Sequence, residues 1–514
     1  MLRTDLIAPI ADLLKRHAAA RGQKCAYRDA HTSVTYAALL DRTSKLAGHF
    51  ADNGIVTGDT VAILLPNSVA WVESCLAIAR AGAITVPISY DSSETEITYR
   101  LNDANCRAVV TTAERGDLLA RLKSSAPDLK TLIVTDPGAC SAPALRYGEL
   151  VTVPSKSAPR DPASLHETAF ILYTSGTTGR AKGVQLTVHG MLWVNAASWA
   201  PIAGLSDRDV VLSPLPLFHS YALNLSVLSI IATGASEYIM EKFSTGEAVR
   251  LLKTGEFTFF PGVPTMFHYL LEATRGETNL KFGNLRLCIS AGAIMPATLN
   301  REFEEHFGIQ LLDGYGITET STMVVMNWPT GGRVLGSCGV PLPALAVRIV
   351  DLNGRDVAPY QEGELIVRGP SVMPGYHNKP EETRNALRAG WYHTGDLAKS
   401  DQNGFLTITG RLKELIIRGG QNIAPAEIEE VVNTFAPVLD CAVVGIAHQH
   451  LGEVPALFVV PRPGHVLESE ALLAHCRTHL SAYKVPHIVQ TIAEIPRTGS
   501  GKIIRYKLRE LITS

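Results

Sequence analysis

The chain has 514 residues, of which 46% are hydrophobic and 19% charged, and its formal net charge at pH 7 is -2. This length suffices for two or three domains with substantial cores, and the composition is that of a globular chain rather than a disordered one. The near-neutral charge gives no electrostatic basis for nucleic acid or an anionic membrane as the main partner.

The cysteines and the apolar runs exclude further classes of protein. The eight cysteines are scattered and none forms a C-x-x-C pair, which argues against a disulfide framework or a structural zinc site. No apolar run reaches the roughly 18 to 20 residues of a spanning helix, so no integral membrane segment is expected. Residues 1–22 predict an amphipathic helix rather than a signal peptide. Together these features predict a cytoplasmic protein.

Short apolar runs alternate with longer helical patterns through about the first 330 residues. A strand is predicted at 61–65, a helix at 69–81 and a strand at 84–87. The most apolar stretch, 223–232, predicts a buried helix. Further strands are predicted at 108–111, 132–135, 169–173, 210–213, 257–260 and 285–290. Strands that alternate with helices predict α/β layers with largely parallel sheets.

The pattern changes after about residue 330. Between 347 and 409, strands are separated by the turn signals DLNG, YQEG and DQNG, which predicts a smaller β-rich subdomain. A helix at 425–434 and strands near 441–446 and 456–461 predict an α+β tail. The fold class is therefore α/β, with a large N-terminal domain that includes the β-rich part and a small α+β C-terminal domain.

The domain boundaries follow from this change of pattern. We predict an N-terminal domain over 1–411, in which the β-rich subdomain covers about 335–411. The C-terminal domain is predicted over 412–514. No period of 20 to 50 residues divides either part, which argues against a solenoid or a propeller.

The strongest local signal is ILYTSGTTGRAKGV at 171–184, where a strand ends and small residues lead to Lys182. Small residues let the backbone approach a phosphate, their amides and hydroxyls donate hydrogen bonds, and the lysine adds positive charge. The spacing differs from the Walker pattern. A solvated β-turn is the alternative, but the length of the string after a buried strand favours a phosphate-binding loop.

This loop resembles the phosphate loop of the adenylate-forming superfamily, which includes acyl-CoA synthetases, nonribosomal adenylation domains and beetle luciferases. Four more family motifs follow in the family's order: GYGITET at 314–320, WYHTGDL at 391–397, GRLKELIIRGGQNIAPAEIEE at 410–430 and PRTGSGK at 496–502. The resemblance covers nearly the whole chain and is strongest to acyl- and aryl-CoA ligases. It implies that the C-terminal domain is mobile.

The resemblance implies a reaction in which a carboxylate attacks the α-phosphorus of ATP, so cations and donors must face the phosphates. Lys182 would bind the β- and γ-phosphates, and Lys502 would contact the carboxylate and the α-phosphate. Glu319, with Thr174, would hold Mg²⁺. Lys182, Glu319 and Lys502 are the implied catalytic residues. The implied phosphate loop is Thr174, Ser175, Gly176, Thr177, Thr178 and Gly179.

For the nucleoside, the resemblance implies that Tyr315 stacks on adenine, with Asp313 near the exocyclic amine. Asp396 would accept hydrogen bonds from both ribose hydroxyls, and Arg411 would touch the ribose or a phosphate. Taken singly, Tyr315 would be interpreted as a core aromatic, Asp396 as a turn aspartate and Arg411 as a solvated arginine. Gly314 and Thr318 complete the implied nucleotide site.

The resemblance also implies a domain rotation after adenylation, because Lys413 stands at the position of the family's hinge. Rotation would withdraw Lys502 and bring the RGGQN loop to the site. Both states would keep water from the reactive mixed anhydride. The loop residues implied to line the thiol tunnel are Arg418, Gly419, Gly420 and Gln421.

PLPLFHSYALN at 214–224 resembles the family's entrance to the acid pocket. His219 stands where amino-acid-activating domains carry an aspartate for the substrate ammonium, which argues against an α-amino acid. It is alternatively a histidine of the core. The implied pocket residues are His219, Tyr221, Val263, Ala291, Gly292, Ala293, Gly316, Met323 and Val324. They are small or apolar and predict a lipophilic acid, with fatty and hydroxycinnamate acids both open.

The acyl acceptor is predicted to be coenzyme A. RGGQNIAPAEIE resembles the CoA-ligase form of its motif, and no insertion follows Thr320 of the kind typical of fatty-acyl-AMP ligases. A carrier protein stays open as acceptor because its phosphopantetheine arm is chemically the same. The implied cofactors are thus ATP, Mg²⁺ and coenzyme A, and the partners are a small carboxylic acid and CoA or a carrier protein.

Two more distant alternatives are a luciferase-like oxygenase that acts on the adenylate and a non-catalytic nucleotide-binding protein. The first requires an oxidisable substrate. The second is disfavoured because one sequence retains all five charged residues of the implied chemistry, and decay removes such residues. These five are Lys182, Glu319, Asp396, Arg411 and Lys502.

Overall fold

The computed structural model describes residues 2–136, 140, 143–174, 181–277, 280–419, 421–498 and 502–513. Four β-sheets organise this part of the chain, and helices cover the two largest of them. The predicted α/β fold, with a large N-terminal part and a C-terminal part, is confirmed. Within the described residues, no helix combines the length and the hydropathy that crossing a membrane requires.

The first sheet has eight strands and is parallel from its third strand onward, while the two strands at one edge are antiparallel to their neighbours. The apolar runs that predicted its central strands are buried on both faces, as parallel strands under helices are. In spatial order its strands are Gly375–Tyr376, Lys182–Thr187, Thr168–Thr174, Ile84–Pro87, Thr60–Leu64, Ala108–Thr111, Thr131–Val134 and Leu145–Arg146.

The second sheet has nine strands, and its centre is also parallel. Both of its ends turn antiparallel. In spatial order its strands are Val340–Pro341, Thr322–Met326, Gln310–Ile317, Leu287–Ser290, Phe259–Gly262, Val210–Ser213, Ser236–Ile239, Cys25–Arg28 and Ser33–Thr35. The strand predicted at 257–260 therefore lies two residues later than expected.

The third sheet is antiparallel and forms the predicted β-rich region; its strands are Ala346–Val350, Gly363–Arg368, Trp391–Ser400, Leu387–Arg388 and Leu406–Arg411. The turn signals predicted a separate β-rich region, but strand Gly375–Tyr376 from this part of the chain pairs with the first sheet. The fourth sheet contains Gln421–Ile423, Ile416–Arg418, Gly452–Pro461, Val438–His448 and Ile488–Thr491.

Several helices begin at a residue whose side chain caps the first turn. Ser68 accepts a hydrogen bond from the amide of Trp71, and Ser93 with Glu96 forms a capping box. The predicted N-terminal helix begins only at Ile10, because Pro9 stands at its N-cap. The α-helices are Ile10–Arg21, Tyr36–Asp52, Val69–Arg80, Glu94–Asp103, Ala113–Arg121, Tyr147–Leu150, Val188–Val194, Ser220–Ala222, Ser229–Thr233, Thr245–Leu252, Pro264–Thr274, Ala297–Phe307, Pro380–Ala386, Pro425–Asn433, Ser469–His479 and Arg505–Thr513.

The buried helix predicted at 223–232 is confirmed as buried but is not regular. Leu223–Leu228 is a π-helix, and only Ser229–Thr233 is α-helical. In the π segment, Asn224 donates to the backbone oxygens of Met191 and Ser321, at 2.9 and 3.1 Å. A second π-helix lies at 195–199, and 3₁₀ turns lie at 4–6, 122–125, 318–320 and 412–414.

Hydrophobic cores lie on each side of residue 411. Three clusters of buried side chains draw only on residues 6–406, and two others only on residues 416–508. The short segment between Arg411 and Ile416 contributes no buried hydrophobic residue to any of them. Each part of the chain therefore has apolar contacts of its own.

Candidate active site

The site lies at one edge of the nine-stranded sheet, where the carboxyl ends of its parallel strands meet. The segments that follow strands 210–213, 259–262, 287–290 and 310–317 carry His219, Val263, Gly292 and Glu319. Lys182 and Asp396 lie on strands of other sheets. Open parallel sheets bind ligands at this edge, because the loops after neighbouring strands open toward the same space. The topology thus brings distant motifs into one place.

Lys502 reaches this edge from the C-terminal part of the chain. Its ammonium is half-buried and interacts electrostatically with Arg411, Asp396, Glu319 and Glu414. Burial and the positive charge of Arg411 lower the pKa of Lys502, while the three carboxylates act in the opposite direction. The ammonium of this C-terminal lysine therefore experiences the charges of the N-terminal motifs.

The backbone around Lys502 is tied down. Its amide donates to Oγ1 of Thr498 at 3.1 Å, and the amide of Thr498 donates to the carbonyl oxygen of Lys502 at 2.8 Å. A β-bridge between Arg497 and Ile503 flanks these contacts. The base of the loop that carries the lysine is therefore closed by hydrogen bonds.

Asp396 is buried, and both of its carboxylate oxygens are engaged. The hydroxyl of Tyr315 donates to Oδ2 at 2.5 Å, and Nε of Arg411 lies 2.8 Å from Oδ1. Asp396 and Arg411 are direct partners on antiparallel strands, which explains their contact. Burial and Asp396 raise the pKa of Tyr315 well above its usual value, so the phenol keeps its proton. Sequence reasoning missed the bond between Tyr315 and Asp396.

Asp313 is a buried carboxyl with an unused acceptor. Its Oδ1 has no hydrogen-bond partner among the residues that the structure describes. Burial raises the pKa of Asp313 well above its usual value. A buried polar atom without a partner is rare and marks a place where a ligand donor fits. Next to it, a Cβ on Gly314 would stand 2.7 Å from the sulfur of Met323, which explains the glycine.

Lys182 and Glu319 meet at the side chain of Tyr376. Nζ of Lys182 lies 4.8 Å from the centre of the Tyr376 ring, and the Tyr376 hydroxyl donates to Oε1 of Glu319 at 3.0 Å. Thr174 is the cross-strand partner of Lys182 at the base of the phosphate loop. The hydroxyl of Thr318 bonds that of Ser220 at 3.1 Å. The predicted loop residues Ser175, Gly176, Thr177, Thr178 and Gly179 lie outside the described residues.

A small, partly open apolar cavity lies beside His219. Four predicted pocket residues line it: His219, Tyr221, Val263 and Gly292. Four lining residues were missed, because nothing in their local pattern separates them from core residues: Leu215, Pro216, Ala222 and Met266. Five predicted pocket residues do not line this cavity: Ala291, Ala293, Gly316, Met323 and Val324.

His219 brings no charge to the cavity. Burial and the nearby Lys502 lower the pKa of His219 to about 3, so the ring is neutral at pH 7. Its Nδ1 accepts a hydrogen bond from the amide of Tyr221 at 3.4 Å. The Tyr221 hydroxyl donates to the carbonyl oxygen of Ile289 at 3.1 Å. The walls of the cavity thus carry no formal charge at pH 7.

The residues predicted for the hinge and the thiol tunnel lie in the C-terminal part. Lys413 is exposed in the 3₁₀ turn at 412–414. Arg418 donates to the carbonyl oxygen of Tyr483 at 2.6 Å, and the amide of Gly419 donates to the carbonyl oxygen of Leu451 at 2.7 Å. Gln421 is exposed, and Gly420 lies outside the described residues. In this arrangement Lys502 interacts electrostatically with the charged residues of the N-terminal motifs.

Comparison with known proteins identifies the family. The family model of AMP-binding enzymes matches residues 14–377, and that of the AMP-binding enzyme C-terminal domain matches residues 427–502. A feruloyl-CoA synthase from Amycolatopsis sp is 34% identical over 94% of this chain and 95% of its own length. A long-chain-fatty-acid--CoA ligase from Yersinia pestis is 35% identical over 93% of this chain and 90% of its own length.

The fold comparison agrees with the sequence comparison. The crystal structure of ATP-bound MatB from Rhodopseudomonas palustris superimposes with a TM-score of 0.89 at 29% identity, over 98% of this chain and 99% of that one. The predicted resemblance to the adenylate-forming superfamily is therefore confirmed over both parts of the chain. This chain belongs to the AMP-binding enzyme family and is a ligase of the AMP-forming acyl-CoA synthetase type.

Proposed function

We propose that this enzyme uses ATP to activate a lipophilic carboxylic acid, aliphatic or aryl, and then transfers the acyl group to the thiol of coenzyme A. The observation that carries this proposal is the ammonium of Lys502, which lies within electrostatic reach of Glu319, Asp396 and Arg411. An ammonium at this place suits a reaction between two anions, since it offsets their repulsion as they approach.

The proposed reaction has two half-reactions. First, a carboxylate oxygen bonds to the α-phosphorus of ATP, and the bond to the pyrophosphate leaving group breaks. Then the thiol sulfur bonds to the acyl carbon, AMP leaves with the bonding electrons, and the thiol proton is lost to solvent. Lys182 and Lys502 supply positive charge for the first half-reaction. Closure of the site around Lys502 helps to keep water from the mixed anhydride.

The residues present fit the nucleotide and its metal. The unpaired acceptor Oδ1 of Asp313 suits the exocyclic amine of adenine. Asp396 suits the ribose hydroxyls, which would donate to its carboxylate beside the Tyr315 hydroxyl or in place of it. Glu319 and Thr174 would hold Mg²⁺, whose chemistry is to neutralise charge on the phosphates. The structural relative with ATP bound supports ATP as the nucleotide.

The apolar cavity and the neutral His219 favour an uncharged acyl tail. A buried ammonium would need a carboxylate partner, and the cavity lining contains none. The named relatives act on an aryl acid in one case and on long-chain fatty acids in the other, which supports both classes of substrate. The same names support CoA as the acceptor. A cytoplasmic location, where ATP and CoA are available, fits this reaction.

The direct test is carboxylate-dependent pyrophosphate release across a panel of fatty, aryl and amino acids, with and without CoA. We expect release with fatty or aryl acids, none with α-amino acids, and a thioester when CoA is added. The acid class with the highest kcat/KM names the substrate. Release without any CoA thioester would indicate carrier-protein loading, and no release with any acid would refute the proposal.

Nucleotide selection provides a second prediction, on Asp313. The wild-type enzyme is expected to prefer ATP to ITP by about tenfold or more, because ITP lacks the exocyclic amine that would satisfy the buried carboxyl. In Asp313→Ala this preference is expected to fall to about twofold or less. The measurement is kcat/KM for both nucleotides. Asp91→Ala, at an exposed aspartate, provides the control. An unchanged preference in Asp313→Ala would contradict the role.

We also propose that the chain divides into domains at 411/412, with Lys413 as the hinge. The separate hydrophobic cores on the two sides of this segment support the division. The 3₁₀ turn that contains Lys413 connects strand Leu406–Arg411 of one sheet to strand Ile416–Arg418 of another. A rotation about this turn would exchange Lys502 for the hairpin that contains Arg418.

A further inference from the structure

Tyr376 stands between two charged residues of the site, although no motif pointed to it. It belongs to the two-residue strand Gly375–Tyr376, which pairs with the strand that begins at Lys182. The amide of His377 donates to the carbonyl oxygen of Gly183 at 2.7 Å, and that of Tyr376 donates to Oγ1 of Thr383 at 2.9 Å. The backbone of Tyr376 is thus fixed against the exit of the phosphate loop.

The side chain of Tyr376 uses both its ring and its hydroxyl. The ring centre lies 4.8 Å from Nζ of Lys182, within cation–π range, and the hydroxyl donates to Oε1 of Glu319 at 3.0 Å. The side chain is 9% exposed. Burial and Glu319 raise the pKa of Tyr376, so the hydroxyl keeps the proton that it donates.

The same segment also holds the backbone of Glu319. The amide of Met373 donates to the carbonyl oxygen of Glu319 at 2.8 Å, and the hydroxyl of Ser321 donates to the carbonyl oxygen of Ser371 at 2.7 Å. Residues 371–376 therefore hold Glu319 through both its main chain and its side chain. The segment links the phosphate loop of one sheet to the YGITE loop of the other.

An ammonium and a carboxylate that flank the same side chain could also pair directly with each other. Among the described residues, however, no salt bridge joins Lys182 to Glu319, and the hydrogen bond from Tyr376 goes to Oε1 of Glu319 rather than to Oε2. A direct pair would cancel the positive charge meant for phosphate and the negative charge meant for a metal ion. The Tyr376 side chain gives each of them a neutral partner instead.

We propose that Tyr376 is a positioning residue that holds Lys182 and Glu319 apart, with the ring retaining the ammonium and the hydroxyl fixing the carboxylate. Oε2 of Glu319 is thereby left for the metal and the ammonium for the phosphates. This role rests on the adenylation reaction proposed above.

The test is equilibrium binding of ATP, with and without Mg²⁺ and with no acid present, to Tyr376→Phe and Tyr376→Leu. Phe keeps the ring, so Mg²⁺-free binding is expected to stay within about twofold, while the Mg²⁺ concentration for half-maximal binding rises about tenfold. Leu removes the ring as well, and Mg²⁺-free binding is expected to weaken a further threefold or so. In the adenylation assay, Tyr376→Phe is expected to lower kcat and to leave the KM for the acid unchanged.

A double-mutant cycle and a matched control complete the test. In a Glu319→Gln background, Tyr376→Phe is expected to have no further effect on the Mg²⁺ requirement, because the hydroxyl acts through that carboxylate. Tyr360→Phe, at an exposed tyrosine, is expected to match the wild type. A Mg²⁺ requirement unchanged in Tyr376→Phe, or additive effects in the cycle, would overturn the proposal. Because binding is measured without acid, failure of the proposed reaction would appear separately, as absent pyrophosphate release.

Discussion

Lys502→Ala is expected to lower kcat/KM for adenylation by about 100- to 1000-fold, because it removes a preorganised charge from a reaction between two anions. Thioester formation from supplied acyl-adenylate is expected to stay within about threefold of wild type. This half-reaction starts from the finished adenylate and does not need the ammonium of Lys502. The measurements are pyrophosphate release for the first half-reaction and acyl-CoA formation for the second. A comparable loss in both half-reactions would contradict the role of Lys502.

The pH dependence of adenylation provides a further check on Lys502. The ammonium is the active form, so kcat/KM should fall as pH rises through its pKa, which burial and Arg411 hold below the ordinary lysine value of 10.5. Lys502→Arg should move this alkaline limb upward, because guanidinium stays charged over the whole range. Lys507→Ala changes an exposed lysine of the same C-terminal segment and should leave both rate and limb unchanged.

Lys413→Pro is expected to slow thioester formation by about 100-fold and to leave adenylation within about threefold of wild type. Proline fixes φ near the value of a 3₁₀ turn, so the arrangement in which Lys502 reaches the site is retained. A rotation between the two halves of the chain needs this backbone to change, and proline prevents it. The two half-reactions, measured separately on the same variant, give the result.

The proposed rotation would also break contacts between the two parts of the chain. Arg462, in the C-terminal part, lies 2.8 Å from Glu272 on helix Pro264–Thr274 and is half-buried there. Lys413→Ala serves as the control, because it removes the exposed side chain and leaves the backbone free to turn. Thioester formation at the wild-type rate in Lys413→Pro would rule out the hinge.

The elements that the sequence predicted best are those whose signal is local. Strands 84–87, 108–111 and 210–213 appear with the predicted bounds, because each is a short apolar run between turn or helix signals. The apolar run at 223–232 predicted correctly that the segment is buried, but it did not predict the π-helix. The side chain of Asn224 in this segment donates to the backbone oxygens of Met191 and Ser321, which are distant in sequence. The hydropathy of a segment indicates whether it is buried, but it does not distinguish an α-helix from a π-helix.

The same division holds for the site. Lys182, Glu319, Asp396 and Lys502 could be named from short motifs, because each stands in a string of residues whose spacing is itself distinctive. Tyr376 could not, since a tyrosine after glycine in a β-rich segment is typical of many strands. Its place between Lys182 and Glu319 arises because strand Gly375–Tyr376 pairs with the first sheet, whereas the strands next to it in sequence form the third sheet.

The sequence by itself determined the α/β fold, the order of the motifs and the family, because periodicity, turn residues and motif strings are written along the chain. Only the tertiary structure decided which side chains face one another. It set the bond from Tyr315 to Asp396, the lining of the cavity by Leu215 and Met266, and the charges around Lys502. The physical reason is that these contacts join segments far apart in the chain, and their geometry is fixed by sheet order and packing rather than by local preference.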